Sequence, residues 1–406
     1  MSDFSQGGKV STLHRLGEPN IELLEAELER YSRRRPIALV LPVTNSDLHA
    51  PACKNIFREL KDVKYIKEFI VCLGLASEKE QFEEARELVS VLPPNRILIW
   101  CDGPGMRKLY NLLDKHDLHV GKDGKGRSAW AAYGYVIAKG ECDVIALHDC
   151  DIANYSRELL ARLCYPCTNP NMDYEFCKGY YSRVSDRMHG RVTRLFVIPI
   201  IKSLVDSLGY LPFLEYLSSF RYPLAGEFSM LTDIARVNRV PGDWGLEVGT
   251  LAEVYRNCST RRICQSELCE NYEHKHQALS PDDPTQGLLK MSIDIGKVLF
   301  RTLASEGVVF SDAFFRTLIA SYLRMAQETV KRYHDDALIN KLKFDIHSEV
   351  TAIEAFTRGI EISGRDFIED PLGAPQIPNW SRVASAIPDF LDLLLETIRE
   401  DNSYPN

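Results

Sequence analysis

"DVIALHDCDIANYS", residues 143–156, is the stretch on which the fold turns. An apolar run ends abruptly in two aspartates, Asp149 and Asp151, separated by Cys150. Short apolar runs rich in β-branched or aromatic residues, stopping in polar or turn residues, read as buried strands. Three earlier runs have the same form: "PIALVLPV" (36–43), "IKEFIVCLGL" (66–75) and "RILIWCDG" (96–103). Between them, "HAPACKNIFRELKDV", "EKEQFEEARELVSVLP" and "RSAWAAYGYVIAKG" carry helical spacing. This alternation predicts an α/β fold, with a mostly parallel sheet covered by helices on both faces. Ligands of such sheets sit beyond the carboxyl ends of the strands. Asp149, Asp151, Asp102 and the segment 42–47 all fall at such ends.

The bulk numbers narrow the class. At 406 residues the chain exceeds what one core usually organises. With 45% hydrophobic and 26% charged residues it has an ordinary globular composition. A net charge of −8 argues against a general nucleic-acid binder or a protein of anionic membrane surfaces. The polar start lacks the apolar core of a signal peptide, and no run approaches the roughly 18 apolar residues of a membrane helix. Eleven cysteines, scattered and mostly in apolar context, fit a reducing cytoplasm. The pair Cys164 and Cys167 in "LCYPC" reads as thiols rather than a zinc site, since no second pair stands at zinc spacing.

Four segments carry candidate chemistry. A one-residue gap in extended chain would put Asp149 and Asp151 on one face. Two carboxylates held together raise a pKa or recruit a hard divalent cation, which also bridges phosphate oxygens. A metal site, an acid/base pair and a plain strand exit remain open at this point. "VGKDGKGRSAW" (120–130) offers glycines and the charges of Lys122, Lys125 and Arg127 ahead of a helix, either a phosphate loop or a solvated basic turn. "MHGRVTRL" (188–195) places Arg191 and Thr193 beside Gly190, either an anion cradle or a surface turn. In "NYEHKHQ" (271–277), His274 and His276 would share a face of extended chain and could complete a metal shell.

The order of the motifs says more than any one of them. "LPVTNSD", "GKG" before a tryptophan, "HDCDI", "GRVT", "PLAGEF", "WGLEVG" and "EHKH" follow one another across residues 38–277. The series resembles the retaining GT-A glycosyltransferases that make osmolyte precursors, above all the glucosyl-3-phosphoglycerate synthases. It is also similar to the mannosyl-3-phosphoglycerate and mannosylglycerate synthases. The resemblance implies a Rossmann-like GT-A domain at 36–280, with a nucleotide-sugar half (36–155) and an acceptor half (156–280). An N-terminal extension (1–35) precedes it. A helical region (281–406) follows, in which Ser311 caps one helix and "VASAIPDFLDLLLETIRE" forms another.

By the same resemblance, Pro42, Val43, Thr44 and Asp47 line the nucleotide pocket, Asp47 standing where the family often has glutamate. Lys125 and Asp149 attend the sugar nucleotide. Asp151 and His274 hold Mg²⁺ or Mn²⁺. Gly190, Arg191, Val192 and Thr193 hold the phosphate of 3-phosphoglycerate, and His276 adjoins the acceptor where the family commonly has asparagine. Leu224 offers its carbonyl near the anomeric carbon, while Glu227 and Glu247 orient hydroxyls. The implied reaction moves glucose from an NDP-glucose (UDP or GDP) to 3-phosphoglycerate; GDP-mannose as donor, or free glycerate as acceptor, are the alternatives. A cytoplasmic homodimer with no nucleic-acid or membrane partner completes the expectation.

Overall fold

Side-chain alternation along the central strands explains why the sheet is sandwiched. In the strand Ile37–Thr44, Ala38 and Val40 join one core while Ile37, Leu39 and Leu41 join the other, all fully buried. The computed structural model describes residues 5–242, 244–274, 278–373 and 376–403. Its sheet has eight strands: β1 (Ser11–Leu13), β2 (Ile37–Thr44), β3 (Ile66–Gly74), β4 (Arg96–Trp100), β5 (Val144–Leu147), β6 (Phe176–Ser182), β7 (Phe228–Leu231) and β8 (Ile263–Asn271). Their spatial order is β1-β8-β6-β7-β5-β2-β3-β4, and only β7 runs antiparallel to its neighbours. The four early runs are thus strands of a mostly parallel sheet, as expected. Residues 11–13, from the stretch read as an extension, pair in parallel with β8 and form the sheet edge.

One face is covered by helices Pro51–Leu60, Lys79–Val89 and Arg157–Thr168. The other carries Lys125–Lys139, Leu246–Asn257 and the long helices of the last third: Gly287–Ser305, Asp312–Ile339 and Ile346–Glu369. Ser311 does cap its helix, accepting from the Phe314 amide at 3.2 Å. The final segment differs from its reading as one helix. It is split into Trp380–Ala386 and Phe390–Asn402, because Pro388 cannot donate into a helix and disfavours helical backbone at Ile387.

The last third is stitched to the sheet domain rather than hung from it. Trp130 and Trp380 stack at 4.1 Å, the Trp130 indole donating to the Pro378 carbonyl and the Trp380 indole to the Trp130 carbonyl. A second link forms where the helix after Gly190 widens into a π-turn at Thr193–Val197. Pro199 has no amide for the carbonyl of Leu195; buried Tyr322 donates to it instead, at 2.7 Å. No described helix is long and apolar enough to cross a membrane.

Candidate active site

The strand carrying the two aspartates ends at Leu147, so the pair sits in the loop beyond it rather than on one face of extended chain. That corrects the sequence reading, and the two acids part company as a result. Asp149 meets the Lys125 ammonium at 2.6 Å, and Asp151 meets His274 Nδ1 at 3.5 Å. Cys150 between them is buried in the core. Burial opposes the charge on Lys125, but Asp149 and Glu247 outweigh it and hold the ammonium protonated far above its ordinary range. Burial likewise opposes ionisation of Asp149, and Lys125 overrides it, keeping the carboxyl below its usual value. Gly226 makes this approach possible, since a Cβ there would collide with both the Asp149 carboxylate and Lys125.

Glu247 lies on the first turn of its helix and its Oε1 accepts from Lys125 at 3.4 Å. Glu227, which the resemblance makes a residue that orients hydroxyls, finds its own hydroxyl partners within the protein. It is fully buried, accepting from the hydroxyls of Tyr181 (2.6 Å) and Tyr272 (2.5 Å), whose rings stack at 3.8 Å. This bracket ties β6, β7 and the end of β8 together one residue after Gly226. Lys178, on β6, was not singled out by its sequence. Its buried ammonium makes no hydrogen bond among the described residues and lies over the Phe228 ring. Burial pushes its pKa down to about 8 against the opposing charges of Glu247 and Glu227. A lysine inside the apolar run "FCKGYY" is the signal that could have revealed it.

At the end of β2, Pro42 and Thr44 are half-buried and Val43 is buried. The Thr44 hydroxyl caps the short turn Asn45–Leu48, accepting from the Asp47 amide at 3.1 Å and donating to the Asp47 carboxylate at 2.7 Å. Arg127 of the glycine-rich segment donates to buried Asp102 at 2.7 Å and covers the Tyr110 ring. Asp102, just beyond β4, therefore braces the first turn of the helix that begins at Lys125. Cys164 and Cys167 are fully buried, with burial raising both thiols.

At the acceptor motif, Gly190 has φ +71°, a conformation that favours glycine, and faces Tyr222. The Thr193 hydroxyl is buried and makes no hydrogen bond among the described residues. Val192 is buried and Arg191 half-exposed. Leu224 lies in the turn closed by the bond from the Ala225 amide to the Tyr222 carbonyl, immediately before Gly226. His276 lies outside the described residues.

Among the described residues no three His, Cys, Asp or Glu side chains form a metal cluster. Asp151 and His274 alone offer one hard oxygen and one imidazole nitrogen across 3.5 Å, both partly exposed. Such a pair suits a hard divalent cation that takes its other ligands from a diphosphate and water.

Beyond the central strand of a mostly parallel sheet, Asp149 meets half-buried Lys125 and Asp151 meets His274, an arrangement that suits a metal-assisted nucleotide-sugar transferase. The solved structures agree on the fold. Glucosyl-3-phosphoglycerate synthase of Mycobacterium tuberculosis, crystallised with Mn²⁺, UDP and glucosyl-3-phosphoglycerate, matches with a TM-score of 0.51 at 19% identity, over 74% of this chain and 89% of that one. Mannosyl-3-phosphoglycerate synthase of Rubrobacter xylanophilus matches with a TM-score of 0.53 at 20% identity, over 70% and 80%. No protein-family model matches the chain. Sequence likeness is closer: 46% identity over 403 residues, 99% of this chain and all of the relative, to a glucosyl-3-phosphoglycerate synthase of Persephonella marina. A second, from Methanococcoides burtonii, is 38% identical over 385 residues, 94% of each chain. The chain belongs to the glucosyl-3-phosphoglycerate synthase family.

Proposed function

We propose that the protein transfers glucose from UDP-glucose to the hydroxyl of 3-phosphoglycerate with retention of the anomeric configuration. The observation that carries this is the juxtaposition at the strand ends of the Asp151–His274 pair with Lys125, fixed in place by Asp149 and Glu247. A divalent cation held by Asp151 and His274 would supply charge neutralisation for the departing diphosphate. Lys125 stabilises the same negative charge from its fixed position, a contribution of order several kcal/mol at a preorganised site. Of the two glutamates of the site, Glu227 is enclosed by its tyrosines and Glu247 is engaged by Lys125, which also holds Asp149. Neither is placed as a nucleophile, which supports front-face attack by the acceptor hydroxyl past the Leu224 carbonyl. The glycosidic bond to the acceptor forms as the bond to the diphosphate breaks, and the hydroxyl proton passes to the leaving oxygen.

Gly190–Thr193 receives the acceptor phosphate. The buried Thr193 hydroxyl, which makes no hydrogen bond among the described residues, supports an anion there, because an unsatisfied buried hydroxyl is costly unless a ligand completes it. Pro42, Val43, Thr44 and Asp47 receive the nucleoside. A homodimer in the cytoplasm remains our reading of the assembly; exposed Leu338 and Ile339 at the end of the longest helix support a second copy there, and sedimentation would test it. The function is tested by offering UDP-glucose, GDP-glucose and GDP-mannose with Mg²⁺ or Mn²⁺ to 3-phosphoglycerate and to glycerate. Turnover of UDP-glucose with the phosphorylated acceptor is expected; equal turnover of glycerate contradicts the phosphate role of Gly190–Thr193.

A further inference from the structure

Next to the acceptor motif lies a cavity of about 290 Å³ whose walls come from two distant parts of the chain. Arg187, Arg191 and Arg194 line one side, and Lys343, Ser348 and Glu349 line the other. Glu349, on the first turn of helix Ile346–Glu369, is buried between two guanidinium groups. Its Oε1 accepts from Arg191 at 3.0 Å and its Oε2 from Arg194 at 2.9 Å, while Ser348 Oγ accepts from Arg191 Nη2 at 3.1 Å. Arg194 is almost buried, bonded also to the His189 carbonyl and stacked over Tyr333. Two cations facing one carboxylate leave one positive charge, and Arg191 is the more exposed of the two.

We propose that Glu349 is a positioning residue for the acceptor: through Arg191 and Arg194 it holds the Gly190–Thr193 segment in the geometry that binds the phosphate of 3-phosphoglycerate. The acceptor site is thereby shared between the sheet domain and the helical last third. A guanidinium anchored along one edge by a carboxylate and a hydroxyl binds an anion without the entropic cost of ordering a free arginine. The anchor lies 158 positions along the chain from Arg191, so an otherwise intact catalytic half needs this helix to recognise its acceptor.

This rests on the acceptor reading above, and the test separates the two. Initial rates are measured for the full chain, Glu349→Gln and Ser348→Ala, varying 3-phosphoglycerate and UDP-glucose in turn, with melting curves for each protein. Glu349→Gln is expected to raise KM for 3-phosphoglycerate about tenfold, with kcat and KM for UDP-glucose changed less than about threefold. Ser348→Ala, which spares Glu349 and so guards against a folding defect, is expected to raise the same KM about twofold to threefold at an unchanged Tm. An unchanged acceptor KM in Ser348→Ala together with either an unchanged acceptor KM or an equal rise in both KM values in Glu349→Gln overturns the proposal. Should Glu349→Gln not fold, Ser348→Ala decides alone. Failure of the wild-type chain to turn over 3-phosphoglycerate at all would instead overturn the functional reading.

Discussion

The two ends of the cleft satisfy their charges in different ways. At the donor end, Lys125, Asp149 and Glu247 complete one another from adjacent strand and helix ends, so the charge array stands ready before any ligand arrives. At the proposed acceptor end, the Thr193 hydroxyl makes no hydrogen bond among the described residues and Arg191 is steadied by a helix from the far end of the chain. One end is preorganised by local pairing and the other from a distance. The first is rigid through its own ion pairs, whereas the second holds its arginine in place from a distant helix.

The contrast can be broken by substitution. Asp151→Ala removes the proposed metal ligand but no buried partner, so kcat/KM should fall about 1,000-fold, with a Tm within about two degrees of wild type. Coupled rate and melting measurements check this; an active variant would falsify the ligand assignment. Gly226→Ala forces Asp149 and Lys125 apart and should lower kcat/KM by about 30-fold, with a loss of about 1–3 kcal/mol in denaturant unfolding.

At the other end, Thr193→Val should raise KM for 3-phosphoglycerate about tenfold while leaving Tm unchanged or higher, because the hydroxyl it removes has no bond to lose among the described residues. A Tm drop of several degrees would show that Thr193 is structural. The smallest effect concerns Lys178, whose folded pKa of about 8 lies below the value of an unfolded lysine. Between those values the unfolded chain binds more protons, so this residue makes stability rise as pH increases from about 8 to about 10. The stability difference between wild type and Lys178→Met should therefore shift in favour of wild type over that window, and a constant difference contradicts the burial of the ammonium.

The same contrast decides what could be read in advance. The donor end was legible because its residues follow apolar runs directly: Leu147 closes β5 and the aspartates come next, and Lys125 opens a helix after glycine. Their division of roles came from the resemblance and not from the local pattern, which put both on one face of a strand that in fact stops two residues before Asp149. At the acceptor end the motif Gly190–Thr193 stood out, yet its anchors did not. Nothing local in "DIHSEV" announces that Glu349 will fold back on Arg191 and Arg194. Tyr322 is equally silent, because the carbonyl it satisfies exists only where Pro199 interrupts another helix. Lys178 is the intermediate case, a visible oddity in its strand whose meaning needed the neighbours of β7 and Glu247.

In the proposed reaction one site transfers glucose with retention, the metal pair and Lys125 acting on one side and Gly190–Thr193 on the other. NMR of the product formed from UDP-glucose and 3-phosphoglycerate, with Mg²⁺ and again after chelation, tests it most directly. The account predicts an α-linked glucosyl-3-phosphoglycerate that forms only with the metal present. A β-linked product, or undiminished synthesis in the chelated reaction, would contradict it.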